Sequence, residues 1–172
     1  MNLITSAPPW LIAVLAAALA AAAIEDFVRR RISNVTCLAV LLTALAAMAL
    51  HGLSLDLWQN AVVFLVLLVV GTALFAANQM GGGDVKLIAC LGLWMDISAG
   101  IWLLALIFIS GGILALIYIA ARYARSDRSK ISKGIPYGLA IVAGAGLVFS
   151  GQLGLLKTKP ERPAAFTVKP KG

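Results

Sequence analysis

Residues 58–77, WQNAVVFLVLLVVGTALFAA, form a stretch of the chain without a charged side chain. A helix needs about 20 such residues to cross the hydrocarbon core of a bilayer, which is about 30 Å thick. The whole chain shares this character, because 62% of its 172 residues are hydrophobic, 12% are charged, and the mean hydropathy is +0.99. A soluble domain carries about 25% charged residues. The composition therefore predicts a membrane protein.

Apolar segments on both sides of residues 58–77 predict further spans. The longest one, residues 85–121, contains only two charged residues, Lys86 near its start and Asp96, and would reach about 55 Å as one helix, so it must fold back. Asp96, Ser98 and Gly100 mark the expected turn. The sequence predicts an all-α, polytopic membrane helix bundle with six spans, at residues 9–24, 35–50, 58–77, 84–97, 99–121 and 135–156. The membrane domain then covers residues 1–156, and a polar tail at 157–172 is expected to be disordered.

Basic residues predict the orientation of these spans. They cluster after the first, third and fifth spans, at residues 29–31, at Lys86 and at residues 122–133, whereas the loops after the second and fourth spans contain none. Cytoplasmic loops carry the excess of Lys and Arg, so the odd-numbered loops are expected to face the cytoplasm. The basic tail disagrees with this pattern, since six spans place it outside. These loops account for the net charge of +7, and no nucleic acid partner is predicted.

Acidic residues at the ends of spans are the candidates for chemistry. Asp26 ends the first span and Asp84 begins the fourth, on the same predicted side of the membrane. Two carboxylates held together share a proton, so one can activate water while the other polarises a scissile carbonyl. The glycines at residues 81–83 would let a substrate backbone approach Asp84. A glycine-rich turn whose Asp caps a helix fits the same spacing.

Three segments carry a family resemblance. Residues 81–87, GGGDVKL, resemble the GxGDxKL motif of type IV prepilin peptidases. Residues 26–34, DFVRRRISN, resemble the segment around the first aspartate of that family, with Ser33 where Pro is usual. Residues 133–138, KGIPYG, resemble the entry to its last span. The chain is most similar to the short form that serves Flp/Tad pilus systems.

The resemblance implies an aspartic endopeptidase of the bacterial inner membrane, which cuts the basic leader from prepilins or pseudopilins at the cytoplasmic face. It implies Asp26 and Asp84 as the catalytic pair. It implies no metal and no cofactor; the expected partners are prepilin substrates, the lipid bilayer and other pilus assembly components. The residues implied to shape the site or to contact substrate are Gly81, Gly83, Lys86, Asn34, Pro136 and Gly138. Glu25 matches no catalytic position and is predicted to be an interfacial charge near Arg29.

The two cysteines bear on a second activity. Long members of the family carry a methyltransferase region with paired CxxC motifs, whereas Cys37 and Cys90 stand in separate apolar runs. They are predicted to be packing residues, and the chain is predicted to cleave without N-methylation.

Three alternative functions remain open. One is a non-enzymatic scaffold or channel subunit of a pilus or secretion system. A second is an archaeal preflagellin-type peptidase. The third is a protease of the signal-peptide-peptidase or presenilin kind, which is disfavoured because Glu25 precedes Asp26 and Ile-Pro-Tyr-Gly opens the last span.

Overall fold

Helices make up nearly all of the protein in the computed structural model, which describes residues 2–52, 55–124 and 137–154. These ranges contain no β-strand. The α-helices are α1 (Leu3–Ser6), α2 (Pro9–Arg29), α3 (Asn34–His51), α4 (Trp58–Ala76), α5 (Gly82–Gly92), α6 (Ile97–Ala124) and α7 (Tyr137–Gln152), and a short 3-10 helix (Leu55–Leu57) precedes α4. The predicted domain boundary at residue 156 and the tail at 157–172 lie outside the described residues.

Four of these helices are long and apolar enough to cross a membrane: α2, α3, α4 with its 3-10 extension, and α6 up to Ile117. Each of the six predicted spans corresponds to a helix, which confirms the predicted membrane helix bundle. The helices at the other two predicted spans are shorter than these four, since α7 has 16 residues and α5 has 11 residues. At 1.5 Å per residue, α5 rises only about 16 Å.

The turn between α5 and α6 lies close to its predicted place. Asp96 caps α6, because its Oδ1 accepts a hydrogen bond of 2.8 Å from the backbone N–H of Ala99. The prediction that Ser98 and Gly100 belong to the turn is wrong, since both lie inside α6. Gly100 instead lets α6 approach α4, because an added Cβ would lie 2.8 Å from a methyl carbon of Val63. Small residues commonly permit such close contacts between membrane helices.

The helix α5 is enclosed by the rest of the bundle. It packs against α3, α4 and α7, while α2 packs against α3 and α7. Beyond its last residue, the backbone carbonyl of Trp94 accepts a hydrogen bond from the N–H of Leu3 at 3.1 Å. The side chain of Asn60 in α4 donates to the carbonyl of Leu93 at 2.9 Å. The C-terminal end of α5 is thus anchored to α1 and α4, and its first turn faces the ends of α2, α3 and α7.

Candidate active site

Asp26 lies near the C-terminal end of α2 and is buried, with 4% of its surface exposed. Its Oδ2 accepts a hydrogen bond of 3.2 Å from the backbone N–H of Leu139 in the first turn of α7. A Cβ added to Gly138 would lie 2.8 Å from both Cβ and Cγ of Asp26. Glycine at position 138 is therefore the residue that lets α7 begin directly against this carboxylate.

Asp84 lies in the first turn of α5, for which Gly81 is the N-cap residue. Its carboxylate is hydrogen-bonded by the backbone of Gly81, and a Cβ added to Gly81 would lie 2.8 Å from Asp84 Oδ2. An acidic side chain that reaches back to the N-cap backbone satisfies a free N–H group of the helix. The structure thus agrees with the alternative in which Asp84 caps its own helix, and the negative charge of Asp26 acts on the same carboxylate.

The loop between α2 and α3 closes over the first turn of α5. The carbonyl oxygen of Ile32 would lie 2.9 Å from a Cβ added to Gly83, so the space above this glycine is filled by the protein's own backbone. Lys86 Nζ donates to Asn34 Oδ1 at 2.8 Å, which joins two of the predicted site residues directly. The thiol of Cys37, which is buried, lies 3.6 Å from the carbonyl oxygen of Gly83. These three contacts hold the segment of the first aspartate against the helix of the second.

The two aspartates interact electrostatically. Asp84 lies outside the four candidate spans. Burial and the negative charge of Asp26 together raise the pKa of Asp84 to about 6, against the lowering effect of the hydrogen bond from Gly81. A carboxyl group whose pKa is raised by a second carboxylate is typical of a pair that shares one proton. The geometry can thus supply a base and an acid at neighbouring positions.

Comparison with known proteins identifies the family of the chain. The family model of the type IV leader peptidase family matches residues 13–119, a range that contains both aspartates. The chain belongs to the type IV leader peptidase family. It is 35% identical over 104 residues to the prepilin leader peptidase/N-methyltransferase of Dichelobacter nodosus. That match covers 59% of this chain and 31% of the relative's length. No solved structure matches this chain.

In this member of the leader peptidase family, Glu25 was predicted to be an interfacial charge, and in the structure it also accepts hydrogen bonds from the start of α3. Its Oε2 accepts hydrogen bonds from the backbone N–H of Ser33 at 2.8 Å and from the hydroxyl of Thr36 at 2.9 Å. Ser33 Oγ also caps α3 by accepting from the N–H of Thr36 at 3.2 Å. The feature of the sequence that could have indicated this hydrogen bond is Ser33, since the Pro that is usual at this position has no N–H to donate. Nothing in the sequence pattern pointed to Glu25 as the acceptor.

An apolar cavity of about 580 Å³ lies between α4, α5 and α6, and neither aspartate lines it. Its lining includes Gln79 and Met80, which directly precede Gly81, and Tyr137, which precedes Gly138. The cavity therefore extends to both segments that contact the carboxylates. Pro136, the remaining predicted site residue, lies outside the described residues.

Proposed function

We propose that the chain is an aspartic endopeptidase that cleaves the basic leader from prepilins or pseudopilins at the cytoplasmic face of the bacterial inner membrane. The observation that carries this proposal is the site shared by Asp26 and Asp84, which come from different helices, in a chain of the type IV leader peptidase family. The family supplies the substrate class, and the pair of carboxylates supplies the means of activating water.

The surroundings of the two carboxylates support a division of roles. Asp26 accepts an N–H from the first turn of α7, where the helix dipole favours negative charge. Asp84 has the raised pKa and retains a proton more readily. In the proposed mechanism, Asp26 takes a proton from a water molecule as that water attacks the scissile carbonyl carbon. Protonated Asp84 donates a hydrogen bond to the carbonyl oxygen, and the departing amine then receives the proton held by Asp26.

The substrate is proposed to be a Flp-type prepilin, on the basis of the motif resemblance. Prepilins present a basic leader followed by an apolar helix. The apolar cavity beside Gln79 and Tyr137 supports a substrate whose scissile bond adjoins an apolar segment. Cleavage is proposed to proceed without N-methylation, which is supported by the placement of Cys37 and Cys90 on separate helices and not in a CxxC pair.

The proposal is tested by co-expressing a Flp-type prepilin with the native chain, with Asp26→Asn or with Asp84→Asn. Removing a general acid or base costs about 100-fold to 10,000-fold in rate, so both variants should leave the prepilin uncut while still inserting in the membrane. Asp56→Asn is the matched control, because Asp56 is an exposed acid in the 3-10 helix before α4.

Two results would count against the proposal. Cleavage by both Asn variants would exclude the aspartate pair, and failure of the native chain on several prepilins would favour the scaffold or channel function. Transfer of methyl groups from S-adenosylmethionine to the processed pilin would contradict only the statement on methylation.

A further inference from the structure

We propose that Glu25 is a positioning residue for the peptidase reaction, which holds the α2–α3 loop so that Asp84 is kept beside Asp26. The inference rests on the proposed function. In this role Glu25 does not take part in the chemical step. It holds the loop, and this explains how two carboxylates on separate helices keep their relative position.

Glu25 holds the α2–α3 loop through a single carboxylate oxygen. Both hydrogen bonds to Glu25 end on one oxygen, Oε2, and come from the backbone of Ser33 and the side chain of Thr36. Hydrogen bonds to a charged acceptor are roughly twice as strong as those between neutral groups. Thr36 is also buried, at 7% exposure, and its hydroxyl lies within hydrogen-bond distance of Ser33 Oγ as well, at 2.9 Å. Glu25 therefore ties the end of α2 to the start of α3.

The loop residues on either side of Ser33 contact α5. The residue before Ser33 is Ile32, whose backbone lies against Gly83, and the residue after it is Asn34, which accepts from Lys86. The loop contacts α5 on both sides of the residue that Glu25 holds. Displacing Ser33 would move both contacts at once, and with them the first turn of α5.

Glu25 and the loop that it holds lie next to the two aspartates in the chain. Glu25 and Asp26 are neighbours on α2, so the backbone that carries the first catalytic carboxylate also carries the anchor. Asp84 directly follows Gly83, the residue over which the loop closes. The distance between the two aspartates thus depends on the position of the loop relative to α2, which Glu25 sets. A misplacement of about 1 Å can lower a catalysed rate by about 100-fold.

The test measures kcat and KM of prepilin cleavage for Glu25→Gln, Glu25→Ala and Thr36→Val, with Asp56→Asn as the control. In Glu25→Gln the amide oxygen can accept both hydrogen bonds, so kcat should stay within about threefold of native, and the pH profile should keep its shape. In Glu25→Ala the loop loses its anchor, and kcat should fall by about tenfold to 100-fold at nearly unchanged KM. The double variant Glu25→Ala/Thr36→Val should lose less than the two single losses combined, because the two residues share one hydrogen bond.

Several outcomes would overturn the inference. If Glu25→Gln loses as much activity as Glu25→Ala, the negative charge of Glu25 itself contributes to the reaction, by acting on the basic leader or on the attacking water. If Glu25→Ala keeps its kcat, or raises only KM, the anchor does not position the aspartates. If Glu25→Ala does not insert, Thr36→Val and Glu25→Gln decide by the same criteria, with Thr36→Val expected to lower kcat. Loss of cleavage in Asp26→Asn with native activity in Glu25→Ala would leave the proposed function standing and refute only this inference.

Discussion

The helix α5 begins in a polar site and ends in an apolar core. At its first turn, a half-buried Asp84 follows three glycines, and the neighbouring groups are hydrogen-bonding side chains and loop backbone. In its last turn and just beyond it, Leu91, Trp94 and Met95 have no exposed surface at all. The backbone there is tied to α1 through Leu3 and to α4 through Asn60.

This difference shows how a short helix can hold a charged group in place inside a membrane protein. The apolar end supplies packing energy, which does not depend on pH or on the exact direction of a hydrogen bond. The polar end is then positioned by a few directional contacts, such as those of Asn34 and Glu25. The two ends should respond to different kinds of substitution, and three predictions test whether they do.

The largest effect is expected at the apolar end, for Trp94→Ala. Truncating a buried Trp costs about 3–5 kcal/mol of unfolding free energy, and Trp94 is fully buried with no hydrogen-bond partner for its Nε1 in the described part of the chain. Thermal unfolding in detergent should show a lower Tm, while the molecules that remain folded should keep their kcat. Trp102→Ala is the control, since that side chain is 63% exposed. A lowered kcat at an unchanged Tm would show that the apolar end takes part in positioning the site.

The next effect is expected at the polar end, for Gly138→Ala. The added methyl group would lie 2.8 Å from Cβ and Cγ of Asp26, so either Asp26 or α7 must move. A displacement of about 1 Å lowers a catalysed rate by about 100-fold, and prepilin cleavage should fall on that scale. Gly146→Ala on the same helix is the control, because its added Cβ meets nothing within 4 Å. Equal activity of the two variants would mean that α7 does not support Asp26 during cleavage.

The smallest effect is expected in the pH dependence of stability. Because the pKa of Asp84 is raised from 3.8 to about 6, the folded protein keeps a proton in a pH range where the unfolded chain has released it. Stability at this site is therefore greatest at low pH and falls as the pH rises through about 6. Asp84→Asn removes the titration, so the gain in Tm from this substitution should be larger at about pH 8 than at about pH 5. A gain that does not change with pH would show that Asp84 is not destabilised by ionisation, and Asp56→Asn should produce no such gain.

Much of the fold could be predicted from the sequence because lipid leaves the chain few choices. A backbone in hydrocarbon must satisfy its own hydrogen bonds, and long apolar segments therefore become helices. The segment predicted at residues 35–50 is the helix Asn34–His51, and the one at 58–77 is Trp58–Ala76. The prediction at Gly100 was wrong because a glycine at a turn and a glycine at a contact between helices cannot be distinguished in the sequence.

The amino-acid sequence alone predicted the membrane helices, because apolar runs dictate spans, and it nominated Asp26 and Asp84, because an acidic residue at a span end is costly. The surroundings of these carboxylates, in contrast, follow from the packing of the helices. The contact of Asp26 with Leu139 joins residues 113 positions apart, and that of Lys86 with Asn34 joins residues 52 positions apart. Such contacts depend on how the helices pack and on which glycines let them approach. Neither can be predicted from a local pattern of residues.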